Sequence, residues 1–506
     1  MKRKNIFLLI ATLCLAANIS AQQTDTLKNV PGQVSIVYPL GTNGRQSYNN
    51  SYNFSLNLLT GKIGGLSGLE ISGLYSQVKK DVSGVQIAGL GNIVGGRMSG
   101  LQISGLAGII GDGMSGLQVS GLASIVGDGM SGLQVSGLAS IIGDGMSGLQ
   151  VAGFASIVGD GMKGMQVAGI TSIAGDNIVG LQVSGIASIV GDGIKGLLVA
   201  GLQVSGITSI AGDNIAGLQV SGLASITSDR MSGLQVSGLS SITGDRMKGL
   251  QVSGIASIVG DRMKGLQVSG IASIAGDRMK GLQVSGIASI VGNRMKGLQV
   301  SGIASIAGNR MNGVQIGLYN KTRTSNGLQI GLVSVNDTLA QGISLSLINI
   351  VKKGAFREWE LSFADYDNVA LTFKMGTQKF YTLYSAGINV FTDNLWNFGI
   401  GFGNRTPMSK KFDFQPELIY SNYFPINFKN IQNISVSRLK LGFVYNISEK
   451  FGMSLAPSVY FCNMDKNKKS DSQFKKFSPF SALSTHKNGN EQTTIGLGIS
   501  LGLSIK

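Results

Sequence analysis

Cysteine is almost missing from this 506-residue chain, which holds only Cys14 and Cys462. Cys14 falls within what reads as a secretory signal, so the mature chain keeps Cys462 alone and forms no intramolecular disulfide. Histidine is scarcer still. His486 is the only one, in a polar stretch with no nucleophile or carboxylate constellation near it in sequence, and no active site is expected. Proline is absent from Leu40 to Thr406, which suits an unbroken backbone ladder. Between Gly68 and Asn312 the only aromatic residues are Tyr75 and Phe154. Charged residues make up 13% of the chain, too sparse a footprint for a nucleic-acid binder despite the formal charge of +16. Removing the signal cations Lys2, Arg3 and Lys4 from that +16 leaves +13. No later apolar run approaches the roughly 20 residues of a membrane helix. A membrane location would therefore require a β-barrel.

What is present begins with an export signal. Lys2, Arg3 and Lys4 precede the apolar stretch Ile6 to Ala17, and Ser20 and Ala21 offer a cleavage site before Gln22. Leu13 stands before Cys14 where a lipoprotein signal needs a small residue. A glycine then recurs every sixteen residues from Gly68 through Gly84 and Gly100 to Gly196, slips by five, and resumes from Gly201 to Gly313. So short and strict a period means stacked units that touch only their neighbours. Glycine, serine and β-branched residues are poor helix formers, and the apolar positions do not follow a 3.6-residue face.

In the copy starting at Gly265, Leu266 and Val268 alternate with Gln267 and Ser269, a short strand. Gly270 permits a corner, Ile271 to Ala275 gives a second run, and Gly276-Asp277-Arg278 reads as a turn. This describes one coil of a β-solenoid, with leucine expected to stack inside and glutamine outside. The extra pentad Gly196 to Ala200 then corresponds to one side of a coil. The alternative makes each repeat a membrane strand such as Leu266 to Ala275, so that repeats and C-terminal strands close one large barrel acting as a pore or transporter. Identical turns would then lie on both sides of the membrane, and a five-residue insertion would reverse the strand's faces. The solenoid is the favoured reading.

The C-terminal part reads differently. Ile495, Leu497, Ile499, Leu501, Leu503 and Ile505 alternate with glycine and serine, predicting a membrane-length strand with small residues toward a lumen. Similar alternation at Trp359-Leu361-Phe363, Val369 to Met375, Phe380 to Val390, Trp396 to Phe402, Phe412 to Tyr420, Leu439 to Tyr445 and Met453 to Phe461 makes about eight strands, enough for a small closed barrel. Lys506 departs from the aromatic last residue common in outer-membrane barrels. The fold class expected is all-β: a glycine-rich β-solenoid of 16-residue repeats followed by an antiparallel, outer-membrane β-barrel. The expected divisions are a signal peptide at 1–21, a lead-in of one or two strands at 22–67, the repeats at 68–350 and the barrel at 351–506.

The repeat turn carries an acidic ladder, Asp112, Asp128, Asp144, Asp160, Asp176, Asp192, Asp213, Asp229, Asp245, Asp261 and Asp277, continued by Asn293 and Asn309. One carboxylate per turn, without tandem calcium-binding glycine motifs, points to turn formation, and no metal or cofactor is expected. The next position is Gly113, Gly129, Gly145 and Gly161 early, but Arg230, Arg246, Arg262, Arg278, Arg294 and Arg310 late. Lys248, Lys264, Lys280 and Lys296 follow two residues after four of those arginines. These cations are the candidate contacts for an anionic surface. The partner expected is outer-membrane lipid or lipopolysaccharide, with a glycan or protein ligand at the cell surface as the further class, and not nucleic acid.

The chain resembles the leptospiral-type surface-repeat proteins, which occur widely in Bacteroidetes. The motifs that carry the resemblance are Thr42-Asn43-Gly44, Phe54-Ser-Leu-Asn-Leu58, Gly68-Leu-Glu-Ile-Ser-Gly73, the Gly-Leu/Val-Gln-Val/Ile repeats, Gly327 to Val333 and Lys379-Phe-Tyr381. The resemblance implies an exported, envelope-associated protein. Serine stands here at a repeat position where relatives often carry asparagine, present only as Asn92, and the array is unusually long. The function expected is non-catalytic: structural or adhesive, through repeated weak contacts whose avidity grows with coil number.

Overall fold

In the computed structural model the chain is nearly all β, a parallel β-solenoid of about 18 turns followed by a closed 8-strand antiparallel barrel. The structure describes residues 27–506 except 177, 192, 195–200, 366, 390–394, 426–433, 466–481 and 489–490. The expected signal peptide with Cys14, the inserted pentad, Asp192 and most of the polar stretch 463–490 lie outside the described residues. Met1–Gly254 and Ile255–Lys506 form two compact units.

In the first unit, parallel stacking begins with Lys28–Val37 against Asn50–Ile63, which pairs in turn with Gly65–Ser72 and Tyr75–Val78. Asn50–Ile63, within the expected lead-in, therefore extends the solenoid upstream of Gly68. From Val82 to Val190 each coil has a seven-residue strand such as Met114–Ser120 and a four-residue strand such as Ala123–Val126, and from Asn214 the longer strand has eight residues, as in Arg230–Ser237. Every residue pairs with its equivalent one coil on, Gln118 with Gln134 and Ile125 with Ile141. Parallel pairing at a sixteen-residue offset overturns the reading of the repeats as antiparallel strands of one large barrel.

The facing of the coil is the reverse of the expectation. Met114, Gln118, Ser120, Ser124 and Val126 are buried inside, whereas Leu117, Val119, Ala123 and Ile125 point outward. The reason is hydrogen-bond closure. Gln134 Nε2 donates to Gln118 Oε1 at 2.9 Å, and Gln150 Nε2 to Gln134 Oε1 at 2.9 Å. The Gln150 amide also donates across the coil to the Ile157 carbonyl at 3.4 Å. Beside the amides, Ser136 and Ser140 share a 2.6 Å hydroxyl contact, and Ser140 donates to the Val151 carbonyl at 3.3 Å. Buried polar groups are costly unless so paired, and each bond made contributes about 1 kcal/mol net. Methionine and valine seal the end of the interior beneath the turn.

Glycine sets the corners. Gly132 has φ 134, a conformation that L side chains rarely adopt. A Cβ there would lie 2.0 Å from the Gly116 carbonyl oxygen of the preceding coil. The extra pentad leaves register intact on either side of it: Leu181 pairs with Leu202, and Gln203 Nε2 donates to Gln182 Oε1 at 3.3 Å.

In the second unit the same coils run on, with Gln283 donating to Gln267 at 2.9 Å and Gln299 to Gln283 at 3.0 Å. The last solenoid strand is Ile343–Lys353. The barrel follows as β1 Phe356–Ala364, β2 Val369–Thr377, β3 Phe380–Asn389, β4 Leu395–Gly403, β5 Phe412–Pro425, β6 Ile434–Asn446, β7 Phe451–Asp465 and β8 Glu491–Ile505. Each pairs antiparallel with the next, and β1 closes on β8 through Trp359 opposite Ile505. The eight strands match the alternations predicted from sequence.

Deleting residues 116–131 removes one coil and joins equivalent positions. The expected outcome is a folded protein with unchanged strand signal per residue by circular dichroism. Deleting only 116–123 sets unlike residues against each other across the ladder. Hydrogen exchange there is expected to lose its protection for several coils on either side.

Candidate interaction surfaces and the barrel interior

Each coil bends at three glycines, at Gly281, Gly286 and Gly292 in one copy, so its outline has three sides. In the second unit one side carries the predicted cations. Arg278 stacks on Arg294 and Arg262, and Lys280 on Lys296 and Lys264, all exposed. Arg310 follows Arg294 in register. In the first unit Arg230 stands in register with Arg246, with Lys248 two residues on, also exposed. The structure thus lines up the arginines in one column and the lysines in another beside it in the second unit, and sets Arg230 against Arg246 in the first.

The aspartates face the same edge, where their backbone stacks: Asp128 N donates to the Asp112 carbonyl at 3.3 Å. Asp277 Oδ2 lies 3.0 Å from Arg278 Nε in a half-exposed pair. Nearer the barrel the acids give way to an amide ladder, Asn293 Nδ2 donating to Asp277 Oδ1 at 2.9 Å and Asn309 Nδ2 to Asn293 Oδ1 at 2.8 Å. Losing those carboxylates while keeping Arg294, Lys296 and Arg310 leaves these two turns positive, and nearer the barrel Asp337 again pairs with Arg323 at 3.8 Å and Lys352 at 2.9 Å.

The other two sides are apolar. In the copy starting at Gly265 they present Leu266 and Val268, then Ala272 and Ile274, meeting at exposed Ile271. That corner residue recurs as Ile287, Ile303 and Leu318, each 43–55% exposed.

At the other end of the ladder stands Glu70, where later coils have glutamine. It is fully buried and accepts from Asn57 Nδ2 at 3.0 Å and Gln86 Nε2 at 3.1 Å. Burial raises its pKa above the ordinary carboxyl value, against the lowering pull of hydrogen bonds from Ser76, Gln86, Asn57 and Ser55. The unfolded chain therefore releases this proton first as pH rises. The stability it supports is full below the usual carboxyl pKa and lost as pH climbs toward the raised folded value. Glu70→Gln is expected to remove that loss. At pH ~7 the amides of Gly65–Ser72 should exchange more slowly in the variant than in the parent, and the gap should close near pH ~4, below the ordinary carboxyl value.

The barrel interior holds a charged cluster in addition to the small residues expected from the last strand. Lys374 Nζ lies 3.2 Å from Glu358 Oε1 and 2.8 Å from Glu417 Oε1, and also contacts Glu360. Arg405 pairs with Glu358 and, at 2.7 Å, with Asp413. Lys440 Nζ reaches Glu360 Oε1 at 2.8 Å, and Tyr381 donates to Glu417 at 2.7 Å. The small residues of β8 do face inward, and they make the room. A Cβ on Gly502 would lie 2.4 Å from Glu360 Oε1, and one on Gly496 2.4 Å from the Tyr460 hydroxyl. The signal was present in β1, where Glu358 and Glu360 alternate with Trp359, Leu361 and Phe363. The cluster pairs its charges across the lumen. No family model, curated protein or solved structure matches this chain.

Removing the cation at the centre of the cluster leaves buried carboxylates without their partner, a loss of about 3–5 kcal/mol. Lys374→Met is accordingly expected to lower the barrel's unfolding temperature sharply by differential scanning calorimetry. Lys379→Met, outside the cluster, should leave it in place.

Proposed function

We infer that this is an exported, non-catalytic outer-membrane protein in which a small barrel anchors a repeat solenoid whose role is structural or adhesive. The observation that carries the reading is the polarity of the barrel. Its interior is charged and paired, while its outer wall presents Leu361, Leu371, Phe398, Leu418, Leu439, Leu455 and Leu501, each 38–57% exposed. A water-soluble barrel has the opposite arrangement, and a membrane barrel carries an outward apolar band. Aromatic pairs rim the wall at both ends. Trp396 and Phe424 pair with ring centroids 5.0 Å apart near one end, with Phe380 and Phe402 at 5.5 Å and Phe412 and Tyr445 at 5.1 Å near the other. Rings of this kind suit the headgroup level of a bilayer.

The two barrel ends differ. The strand ends joined by 378–379, 404–411 and 447–450 lie where the solenoid enters, while Ala364, Asn389, Pro425 and Asp465 end their strands at the other side, where the link in sequence from Asp465 to Glu491, which includes the strand Ala482–Asn488 paired with β8, is by far the longest. Outer-membrane barrels keep short turns in the periplasm and long loops outside. The solenoid therefore belongs to the periplasmic side, and its contacts are made within the envelope. The cation columns Arg262 to Arg310 and Lys264 to Lys296 suit phosphate-bearing lipid there. Membership of the leptospiral-type surface-repeat family is part of this proposal and rests on the sequence motifs alone.

A folded membrane barrel resists detergent until heated. The expected result is a faster-migrating band for unboiled samples on detergent gels, together with retention in the outer-membrane fraction after alkaline carbonate. Protease added to intact cells should cleave within 466–490 and spare the repeats until the outer membrane is opened. A protein recovered as a soluble species without detergent overturns the anchor reading, and repeat cleavage on intact cells overturns the sidedness.

A further inference from the structure

Apolar side chains on the outside of a coil need a cover, and in the second unit the fold limits what it can be. Leu282, Val284, Ala288 and Ile290 occupy two of the three sides of one coil and Ile287 the corner between them, while Arg278 and Lys280 occupy the third. With the amides turned inward, about two-thirds of the perimeter is hydrocarbon and one-third cationic. This is the cross-section of an interfacial amphipathic helix, enlarged and built from strands.

Two observations select the occupant. The first is charge. Arg294, Lys296 and Arg310 share their turns with Asn293 and Asn309 and not with acids, so these two stacked turns offer a like-charged patch that repels an identical copy and attracts a sheet of phosphates. The second is position. The last solenoid strand packs against the outward face of β2 and β3 near the short-turn rim. Asn349 Nδ2 donates to Thr382 Oγ1 at 3.1 Å, and Thr382 Oγ1 donates to the Ser346 carbonyl at 2.7 Å. Tyr384 reaches the Leu347 carbonyl from the same face. Thr382 is fully buried by this contact although it points away from the lumen. The last coil thus meets the barrel wall at the level of its aromatic rim.

We propose that the coils between Ile255 and Lys353 lie in the adjoining lipid leaflet, with the Ile287 corner among acyl chains and the Arg278 and Lys280 side at the phosphates. The proposal rests on the membrane reading of the barrel. A flat protein surface covers one side of such a coil, whereas fluid lipid covers two sides and the corner between them. Long cationic side chains reach back to the headgroups from a partly submerged element.

The test uses the full mature chain, carrying Cys462→Ser, in vesicles of phosphatidylethanolamine and phosphatidylglycerol. An environment-sensitive fluorophore is attached at Ile287→Cys, at Lys280→Cys or, on the barrel wall, at Leu439→Cys. Heat-modifiable migration confirms that each variant is folded. The expected result is blue-shifted emission and quenching by nitroxide-labelled lipid at 287 and 439, with the label at 280 open to aqueous iodide. Quenching by nitroxide lipid at 439 with iodide access at 287 overturns the proposal and leaves the barrel reading standing. Shielding of 287 from both quenchers means a second copy covers the corner, and also overturns it. Iodide access at 439 overturns the barrel reading and the proposal together.

Discussion

The glutamine ladder is the interaction on which the solenoid depends. A carboxamide can donate to the amide above it, accept from the one below and still donate across the coil. It does all three only when its neighbours stand in register at strand spacing. Each bond contributes little alone, about 1 kcal/mol net. An unpaired amide in that interior would cost more than a bond contributes, so the ladder penalises any slip of register along its length. The glycine corners follow from the same constraint. Coils stacked this closely leave no room for a Cβ on Gly132, which would lie 2.0 Å from the Gly116 carbonyl oxygen.

Burying the amides has an outward consequence. Alternation along a strand sends one set of side chains in and the other out. Once glutamine and serine occupy the interior, leucine, valine and isoleucine must occupy the surface. The barrel repeats the arrangement by different means, with Lys374, Glu358, Glu360 and Glu417 paired inside and Leu439 or Leu501 outside. Both parts of the second unit are thus polar within and apolar without. That common polarity makes the barrel wall and the adjoining coils candidates for one lipid phase.

Much of this was legible in the residues. Sixteen-residue periodicity, the missing prolines and the aromatic alternation after Trp359 pointed to a solenoid and about eight barrel strands. The cation columns followed from the period itself, since equivalent residues in a stacked repeat must line up. The direction of facing was not legible. Leu266-Gln267-Val268-Ser269 alternates equally well with either set inside, and the usual weight given to burying leucine led to the wrong one. The lumen charges were visible as Glu358 and Glu360 between aromatic residues, yet their partners, Lys374 on β2, Arg405 just after β4 and Lys440 on β6, lie further along the sequence.

The sequence by itself determined the architecture, because period, glycine placement and alternation are local properties that stacking simply repeats. Tertiary structure alone decided which face of each strand is inside. That choice turns on whether every buried amide finds a donor and an acceptor one coil away, and whether each lumen charge meets its counter-charge across the barrel. Both conditions are met only when distant segments are brought together in space.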